Sequence, residues 1–530
     1  MHDVSRAPNS CRTCRQKRVR CDRLLPTCQR CVGLKLRCLG YDRSKALVWT
    51  NSIASRGKMM GRTTFEVERL HQVLTPDLCC HPSPVAQARP RGKFVQPFPL
   101  DATVSRSLIE PGLQDLPADC RNYIRYFDQE LSRECVVYNK PADNPFLSLM
   151  PLMSRNRALY HIMISISAFH FNHRILIRNF QLPSRENKLP LDSPELWSST
   201  GDLCRQTTQL NPSDALRTAL LHKQKALQHL KRELQDYSNE NSNAVIATVV
   251  LFICMDVVEF GGRGWRHHLR AAEQMIQSRK NLLGDEDSES RAWLTYFDTA
   301  CTTFGILGAT LTRASISSTQ ASPIINTSYM EALRQSENQT WVGCPAELLH
   351  LLSAMNSLRS IPQAGVDRPR MAQELCDGLT RFSPSCWAKQ FPDQQHRQSR
   401  FHLAYAYKAA VEVYASYLFG GSINQHYLSP SYVRQLVQPA ICHMLAIPPD
   451  DFHLKSLVWP AFVLGAETQE MELRKILRTL FQHIWVMSCC YNARSAADML
   501  EAIWGRDSSE CADKSWLDYV WNQEESWLFL

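Results

Sequence analysis

The sequence predicts a small, metal-held N-terminal head followed by a large all-α body, and three observations predict it. Six cysteines crowd into residues 11–38 of a 530-residue chain. Residues 1–60 carry 14 Lys and Arg against only Asp3, Asp22 and Asp42, whereas the remaining chain carries 46 against 48 acids. From about residue 119 onward, apolar residues recur at helical spacing with little strand signal.

A chain of this length exceeds what one hydrophobic core supports, so a large domain or two with smaller pieces is expected. With 44% apolar and 21% charged residues, the bulk has the composition of a globular protein. The basic excess of the first tenth calls for a polyanion, nucleic acid rather than a membrane surface, because no apolar amphipathic face accompanies it. No secretory signal is expected, since MHDVSRAPNS has no apolar run after its charges. The most apolar stretch, AVIATVVLFICMDVV at 244–258, is interrupted by Asp256 and reads as a buried helix too short for a bilayer. A reducing compartment follows. There, 20 cysteines argue against a disulfide framework, and the clustered six require metal or catalysis.

Cys11, Cys14, Cys21, Cys28, Cys31 and Cys38 follow C-x2-C-x6-C-x6-C-x2-C-x6-C, in which the unit C-x2-C-x6-C recurs after 17 residues. That repeat predicts a pseudo-twofold site. Two residues between cysteines let both sulfurs reach one ion, and thiolates at about 2.3 Å in a tetrahedron are what structural zinc prefers. Six thiolates fill the ligand positions of two tetrahedral zincs only if two of them bridge, and the repeat singles out Cys11 and Cys28.

The spacing, the basic run Arg15-Gln16-Lys17-Arg18-Val19-Arg20 and Pro26 before Cys28 resemble the fungal Zn(II)2Cys6 binuclear cluster, a DNA-binding domain. The resemblance implies two zinc ions per chain. One is held by Cys11, Cys14, Cys21 and Cys28, the other by Cys28, Cys31, Cys38 and Cys11. It also implies that the end of the first short helix enters the major groove of double-stranded DNA. There the adjacent pair Lys17 and Arg18 reads a CGG-type triplet, with Arg18 standing where the family most often has Lys; either donates to guanine O6 and N7. Arg12, Arg15, Arg20 and Arg23 surround that pair and are expected on phosphates. Weighed against this are a redox or disulfide array, a zinc module that docks proteins, and a basic run that serves only as a nuclear address. The run Arg15 to Arg20 suits both nuclear import and DNA contact. The module is too small for a core of its own, so metal must hold it.

After Cys38, residues 39–62 are polar, basic and aperiodic, and Arg43, Lys45, Arg56 and Lys58 either add phosphate contacts or belong to a solvated linker. TTFEVERLHQVL places Thr63 and Glu66 at capping-box spacing, with Val67, Leu70 and Leu74 on one face. Members of the family dimerise through a coiled coil at this place. The stripe is shorter than the roughly three heptads such a coil uses, so a homodimer stays open. Residues 76–118 are Pro-rich and read as a tether.

Within the body, SDALRTALLHKQKALQHLKRELQD places Leu216, Leu220, Leu227, Leu230 and Leu234 near helical spacing behind a Pro212-Ser213 start. Helices are also expected at 154–173, 244–260, 264–279, 401–419 and 470–488, with loops at 182–212, 281–290 and 314–341. YFDQELSREC, NPFLSLMPLMSRNRALYHIMISISAFH, KALQHLKREL and GWRHHLRAAEQMI, in that order, resemble the fungal-specific transcription factor domain that follows such clusters. The expected domains are therefore 1–45 for DNA binding, 46–118 for linker, short helix and tether, and 119–530 for an all-α regulatory domain. The resemblance implies a nuclear transcription regulator, without enzymatic activity or a membrane, that contacts the transcription machinery and serves a metabolic or secondary-metabolite gene set.

Catalytic patterns are thin. GGRGWRHH at 261–268 lacks the strand and spacing of a phosphate loop and reads as a turn between helices. His161, His170, His173, His267 and His268 lack the partners of a zinc-hydrolase motif, and Cys79-Cys80 and Cys489-Cys490 lack ligand spacing. The last stretch, SSECADKSWLDYVWNQEESWLFL, is open to two readings: an acidic-aromatic activation segment, or a docked helix with Trp516, Leu517, Val520 and Trp521 on one face.

Overall fold

The computed structural model describes residues 7–41, apart from 8, 12, 15, 16 and 18, and residues 116–530, apart from 142–143, 182–211, 236–241, 263, 283–287, 314–326, 361–366, 392–393, 395, 420–428 and 507–514. The linker beyond residue 41, the Thr63 to Leu74 stripe and Cys79-Cys80 lie outside the described residues. The chain divides into two units, Met1–Leu100 and Asp101–Leu530.

In the first unit the short helix α1 (Gln29–Gly33) is the main regular element, and its only buried side chain is Cys31. The buried residues of this unit cluster around cysteine sulfur instead: Cys11, Cys14, Cys28 and Cys31, with Val19, Cys21, Cys38 and Tyr41 against them. A module without an apolar interior needs some other cross-link to hold a single structure.

The second unit is helical throughout, with no strand among its described residues. It opens with α2 (Ala118–Tyr126), which runs through a π-helical turn, Phe127–Leu131, into α3 (Ser132–Glu134). After α4 (Leu149–Met153) come α5 (Arg157–Gln181) and α6 (Pro212–Gln235), which pack along their lengths as a pair. Next is α7 (Ser242–Phe260), apolar on every side, which a helix can be only when surrounded. It is long and apolar enough to cross a membrane, but 89% of its most apolar window is buried among α5, α8 (Trp265–Leu282), α9 (Ser288–Thr310) and later elements, so it is a core helix. The expected buried helix at 244–258 is thus found, extended at both ends.

The loops expected at 281–290 and 314–341 are corrected. α8 continues to Leu282 and α9 starts at Ser288, while Thr327–Gln339 forms α10. α11 (Ala346–Ser360), α12 (Arg368–Arg381), α13 (Pro384–Gln390) and α14 (Arg397–Phe419) follow. Three starts in this half are written locally. Asp367, Ser383 and Ser429 each accept the backbone N–H three residues on, with Pro in the first turn of α12, α13 and α15 (Pro430–Leu445), where its missing N–H costs nothing. α14 lies at the centre of this half, against α11, α12, α13, α15 and the buried α16 (Val458–Ala466).

α17 (Met471–Ser488) ends on Cys489, whose φ of 51° is left-handed. Two histidines from α5 hold that end. His170 Nε2 donates to the Ser488 carbonyl at 2.9 Å while its Nδ1 meets Tyr126 Oη at 2.8 Å, and His173 Nδ1 donates to the Cys489 carbonyl at 3.0 Å. Burial lowers both imidazoles to about 4, so they cap the helix as neutral donors. α18 (Asn492–Trp504) and α19 (Trp516–Trp521) complete the unit.

The GGRG stretch is the turn expected between helices. Gly262 has φ of +90°, and a Cβ there would stand 2.5 Å from the Leu528 carbonyl oxygen, so two features of the site select glycine. The C-terminal stretch is docked. Trp516, Leu517, Val520 and Trp527 to Leu530 are buried, while Ser515 and Asp518 form a reciprocal capping box. Trp521 lies half-buried and donates from Nε1 to the Thr310 carbonyl at 3.0 Å; Arg359, stacked 4.7 Å under its ring, donates to the Ala309 and Thr312 carbonyls at 2.8 Å. The unsatisfied C-terminal carbonyls of α9 are closed by groups from two distant segments.

Candidate metal centre and nucleic-acid interface

The six cysteines of residues 11–38 converge. Their sulfurs form two groups of four, Cys11, Cys14, Cys21 and Cys28 in one and Cys11, Cys28, Cys31 and Cys38 in the other, with all sulfurs of a group within 4.8 Å. The groups share Cys11 and Cys28, the pair singled out by the repeat. The separations are 3.5 Å for Cys11–Cys28, 3.6 Å for Cys11–Cys31 and 3.7 Å for Cys14–Cys28. Zinc–sulfur bonds of about 2.3 Å set the edge of a tetrahedron at about 3.8 Å, so these separations within the groups suit two thiolates on one ion, while Cys14 and Cys31, of different groups, also lie 3.7 Å apart.

The backbone repeats with the cysteines. The Cys14 N–H donates to Cys11 Sγ at 3.4 Å, and 17 residues later the Cys31 N–H donates to Cys28 Sγ at 3.3 Å. Lys17 N to Thr13 O at 3.0 Å is matched by Leu34 N to Arg30 O at 3.2 Å, and Val19 N to Cys14 O at 3.0 Å by Leu36 N to Cys31 O at 2.9 Å. Each half thus winds one turn around its own sulfur pair. Thr13 ties the halves together, donating to the Arg37 carbonyl at 2.9 Å and accepting from Leu39 N at 3.0 Å. Asp22 accepts from Leu24 N at 3.3 Å and Arg30 N at 3.1 Å, and the Tyr41 hydroxyl donates to the Leu24 carbonyl at 2.6 Å. Sequence reasoning missed Thr13, Asp22 and Tyr41, because the bonds by which they tie the module together, to Arg37 and Leu39, to Arg30 and to Leu24, span 8 to 26 residues. No local spacing signals them.

Burial pushes the thiols of Cys11, Cys14, Cys28 and Cys31 above the usual range. For Cys21 and Cys38 burial acts in the same direction, but backbone N–H groups of Cys11 and Arg23 on one, and of Cys28 and Gly40 on the other, outweigh it and lower them. Six thiolates packed this closely repel one another and lack water, and only cations between them relieve both costs. The donor set therefore fits zinc.

Of the basic residues, Lys17, Arg20 and Arg23 are exposed, whereas Arg12, Arg15 and Arg18 lie outside the described residues. The 17-residue shift maps Lys17 onto Leu34, Arg15 onto Val32 and Arg12 onto Gln29, but Arg18 onto Lys35 and Arg20 onto Arg37. The near-symmetric frame thus carries five basic residues on its first half, 11–21, and three on its second, 28–38.

Among its described residues the second unit brings together a further set of donors, His396, Asp451 and His453, within 4.8 Å. Hydrogen bonds already engage Asp451 and His453. His453 Nδ1 donates to Asp451 Oδ1 at 2.6 Å, its Nε2 accepts from Tyr138 Oη at 2.8 Å, Ser399 Oγ donates to Asp451 Oδ2 at 2.5 Å, and Arg400 donates to Tyr138 Oη at 2.7 Å. With a guanidinium beside it, this constellation is a clamp between loop and helix rather than a cation site. His161, half-buried, meets His222 through their Nδ1 atoms at 3.1 Å, and His268 meets Asp256 at 3.1 Å.

Residues 122–530 match the fungal specific transcription factor domain, and residues 9–46 match the fungal Zn(2)-Cys(6) binuclear cluster domain. Among characterised proteins, the acriflavine sensitivity control protein acr-2 of Neurospora crassa is 22% identical over 95% of this chain and 93% of its own length. No solved structure matches. With the cluster family covering the sulfur cage and the transcription factor domain family covering more than half of the chain, this protein belongs to the fungal Zn(2)-Cys(6) transcription factors.

Proposed function

We propose that this transcription regulator acts in the nucleus by reading CGG-type triplets with Lys17 and Arg18, on a frame of two zinc ions held by the six cysteines. The observation that carries the proposal is the sharing of Cys11 and Cys28 by two four-sulfur groups. It gives two tetrahedral sites from six residues, one of Cys11, Cys14, Cys21 and Cys28, the other of Cys28, Cys31, Cys38 and Cys11. Bound zinc supplies positive charge and cross-links, with no reaction at the metal.

The protein's own residues do the reading. Each half winds its turn onto its sulfurs, and the first half aims the backbone at Lys17 outward, one turn beyond Cys14. Lys17 and Arg18 then donate to guanine O6 and N7, each good contact being worth about 1–3 kcal/mol of discrimination. Arg12, Arg15, Arg20 and Arg23 neutralise phosphates around that point, releasing counterions, so affinity falls as salt rises. The second half matches Arg18 with Lys35 but Lys17 with Leu34 and Arg15 with Val32, so only the first half offers an adjacent basic pair, which favours it as the face toward DNA. Residues 1–45 serve as the DNA-binding domain and 119–530 as the regulatory domain, joined by 46–118.

Selection of random duplex DNA by the zinc-loaded chain, at a stated salt concentration, tests the reading. Enriched CGG-type triplets are expected, and single against paired triplets at fixed spacing reports monomer against dimer. No enrichment overturns it in favour of a protein-docking zinc module.

A further inference from the structure

Beyond DNA reading, we propose that the outer face of α6 is a docking surface for an acidic amphipathic helix of a partner protein. The leucine spacing that predicts this helix also invites the idea that the leucines face the core. The structure places them otherwise. α6 turns Ala215, Ala219, His222, Ala226 and Leu230 inward against α5, while Leu216, Leu220, Leu227 and Leu234 are each 41–49% exposed.

These four leucines are 4, 7 and 7 residues apart. At about 100° per residue they stand within about 40° of one another around the axis, and at about 1.5 Å rise per residue they form a ridge about 27 Å long. Phe260 at the end of α7, 49% exposed, extends the patch sideways, with Lys223 Nζ 5.1 Å from its ring centroid. Isolated surface leucines need no explanation, but a row of four beside an aromatic ring marks an interaction surface. Steps of 7 residues suit a helical occupant, whose own side chains repeat in step with such a ridge.

Charge selects which helix. Arg217 and Lys231, both exposed, flank one side of the ridge, and Lys223, paired with Glu259, flanks the other. A second copy of this face meets like charge when antiparallel, where Arg217 comes opposite Lys231, and when parallel sets both beside Lys223, whose charge Glu259 offsets only for that one lysine. A helix with apolar residues in one row and Asp or Glu beside them satisfies ridge and rim together.

The test uses the full zinc-loaded chain and two labelled synthetic helices of about three heptads, with leucine at a and d and either Glu or Lys at the flanking positions. Anisotropy titration is expected to show binding of the Glu helix, weakened by salt, and none of the Lys helix. Leu220→Ser with Leu227→Ser weakens it at least about tenfold at unchanged thermal unfolding, since both side chains are on the surface. Arg217→Glu with Lys231→Glu reverses the preference, which guards against a leucine variant that misfolds. Equal binding of both helices, or binding indifferent to the leucines, overturns the proposal. So does a concentration-dependent dimer that the leucine substitutions abolish, which assigns the ridge to a second copy. Selection of DNA by the same variants stays as in the parent, so failure here is separable from failure of the DNA reading.

Discussion

The first unit and the second solve the same problem, the entropy of ordering a chain, by different chemistry. Residues 11–38 bury four cysteines and almost nothing apolar, so their stability resides in sulfur held around cations. The second unit buries an apolar interior that runs from Tyr123 to Leu530, and its polar groups serve mainly to close helix ends. Metal dependence is therefore the property expected to separate the two units.

Chelation breaks this contrast most sharply. Removing zinc is expected to unfold residues 7–41, with a loss on the order of 10 kcal/mol for that unit, while far-UV helicity and the melting of the second unit persist. Loss of both signals together would mean that the units are not independent. Bridging cysteines sharpen the point: Cys28→Ser is expected to lower zinc content in native mass spectrometry by both ions, and Cys38→Ser mainly by one.

The converse break lies at Arg400, buried against Trp387 at 3.8 Å and Phe391 at 4.4 Å, donating to Tyr138 and lying 3.9 Å from Glu337. Arg400→Met removes one donor to Tyr138, which keeps His453, and the cation near Glu337, which keeps Ala346 N and Trp387 Nε1, and is expected to destabilise the second unit by about 1–3 kcal/mol in denaturant melts, with zinc content unchanged. On the proposed reading, Lys17→Ala is expected to lower discrimination of the triplet by about 1–3 kcal/mol in competition binding, with both units folded as before.

Mild acid is the smallest perturbation. Burial lowers His161 to about 3, and His222, His170 and His173 to about 4, from an ordinary 6.5. Between those values the unfolded chain takes up protons that the folded one refuses. Through these four groups the stability of the second unit therefore falls as pH drops from about 6.5 to about 3. His161→Gln with His222→Gln is expected to flatten the slope of melting temperature against pH; an unchanged slope would place the response elsewhere.

Legibility followed the range of the interactions. The cysteine cage was legible because its ligands lie within 28 residues and a 17-residue repeat makes the sharing visible. The helices Arg157–Gln181, Ser242–Phe260 and Met471–Ser488 were legible from strong apolar runs. Helix Thr327–Gln339 was not, since a polar stretch with Ser, Glu, Asn and Gln reads as loop until Leu333 and Ser336 are seen buried against neighbouring helices. Ser383-Pro384 and Ser429-Pro430 were available as start signals for α13 and α15 and went unread.

By itself, then, the sequence determined that sulfur and metal organise the first unit, where its positive charge is concentrated, and that helices build the second. Each of these follows from chemistry repeated over a few residues. Only the tertiary structure decided which face of α6 is buried, that His170 and His173 close α17, and that Trp516, Leu517, Val520 and Trp527 to Leu530 pack inward rather than standing in solvent. These outcomes depend on partners up to 318 residues away, and a helical period states that a face exists without stating what will cover it.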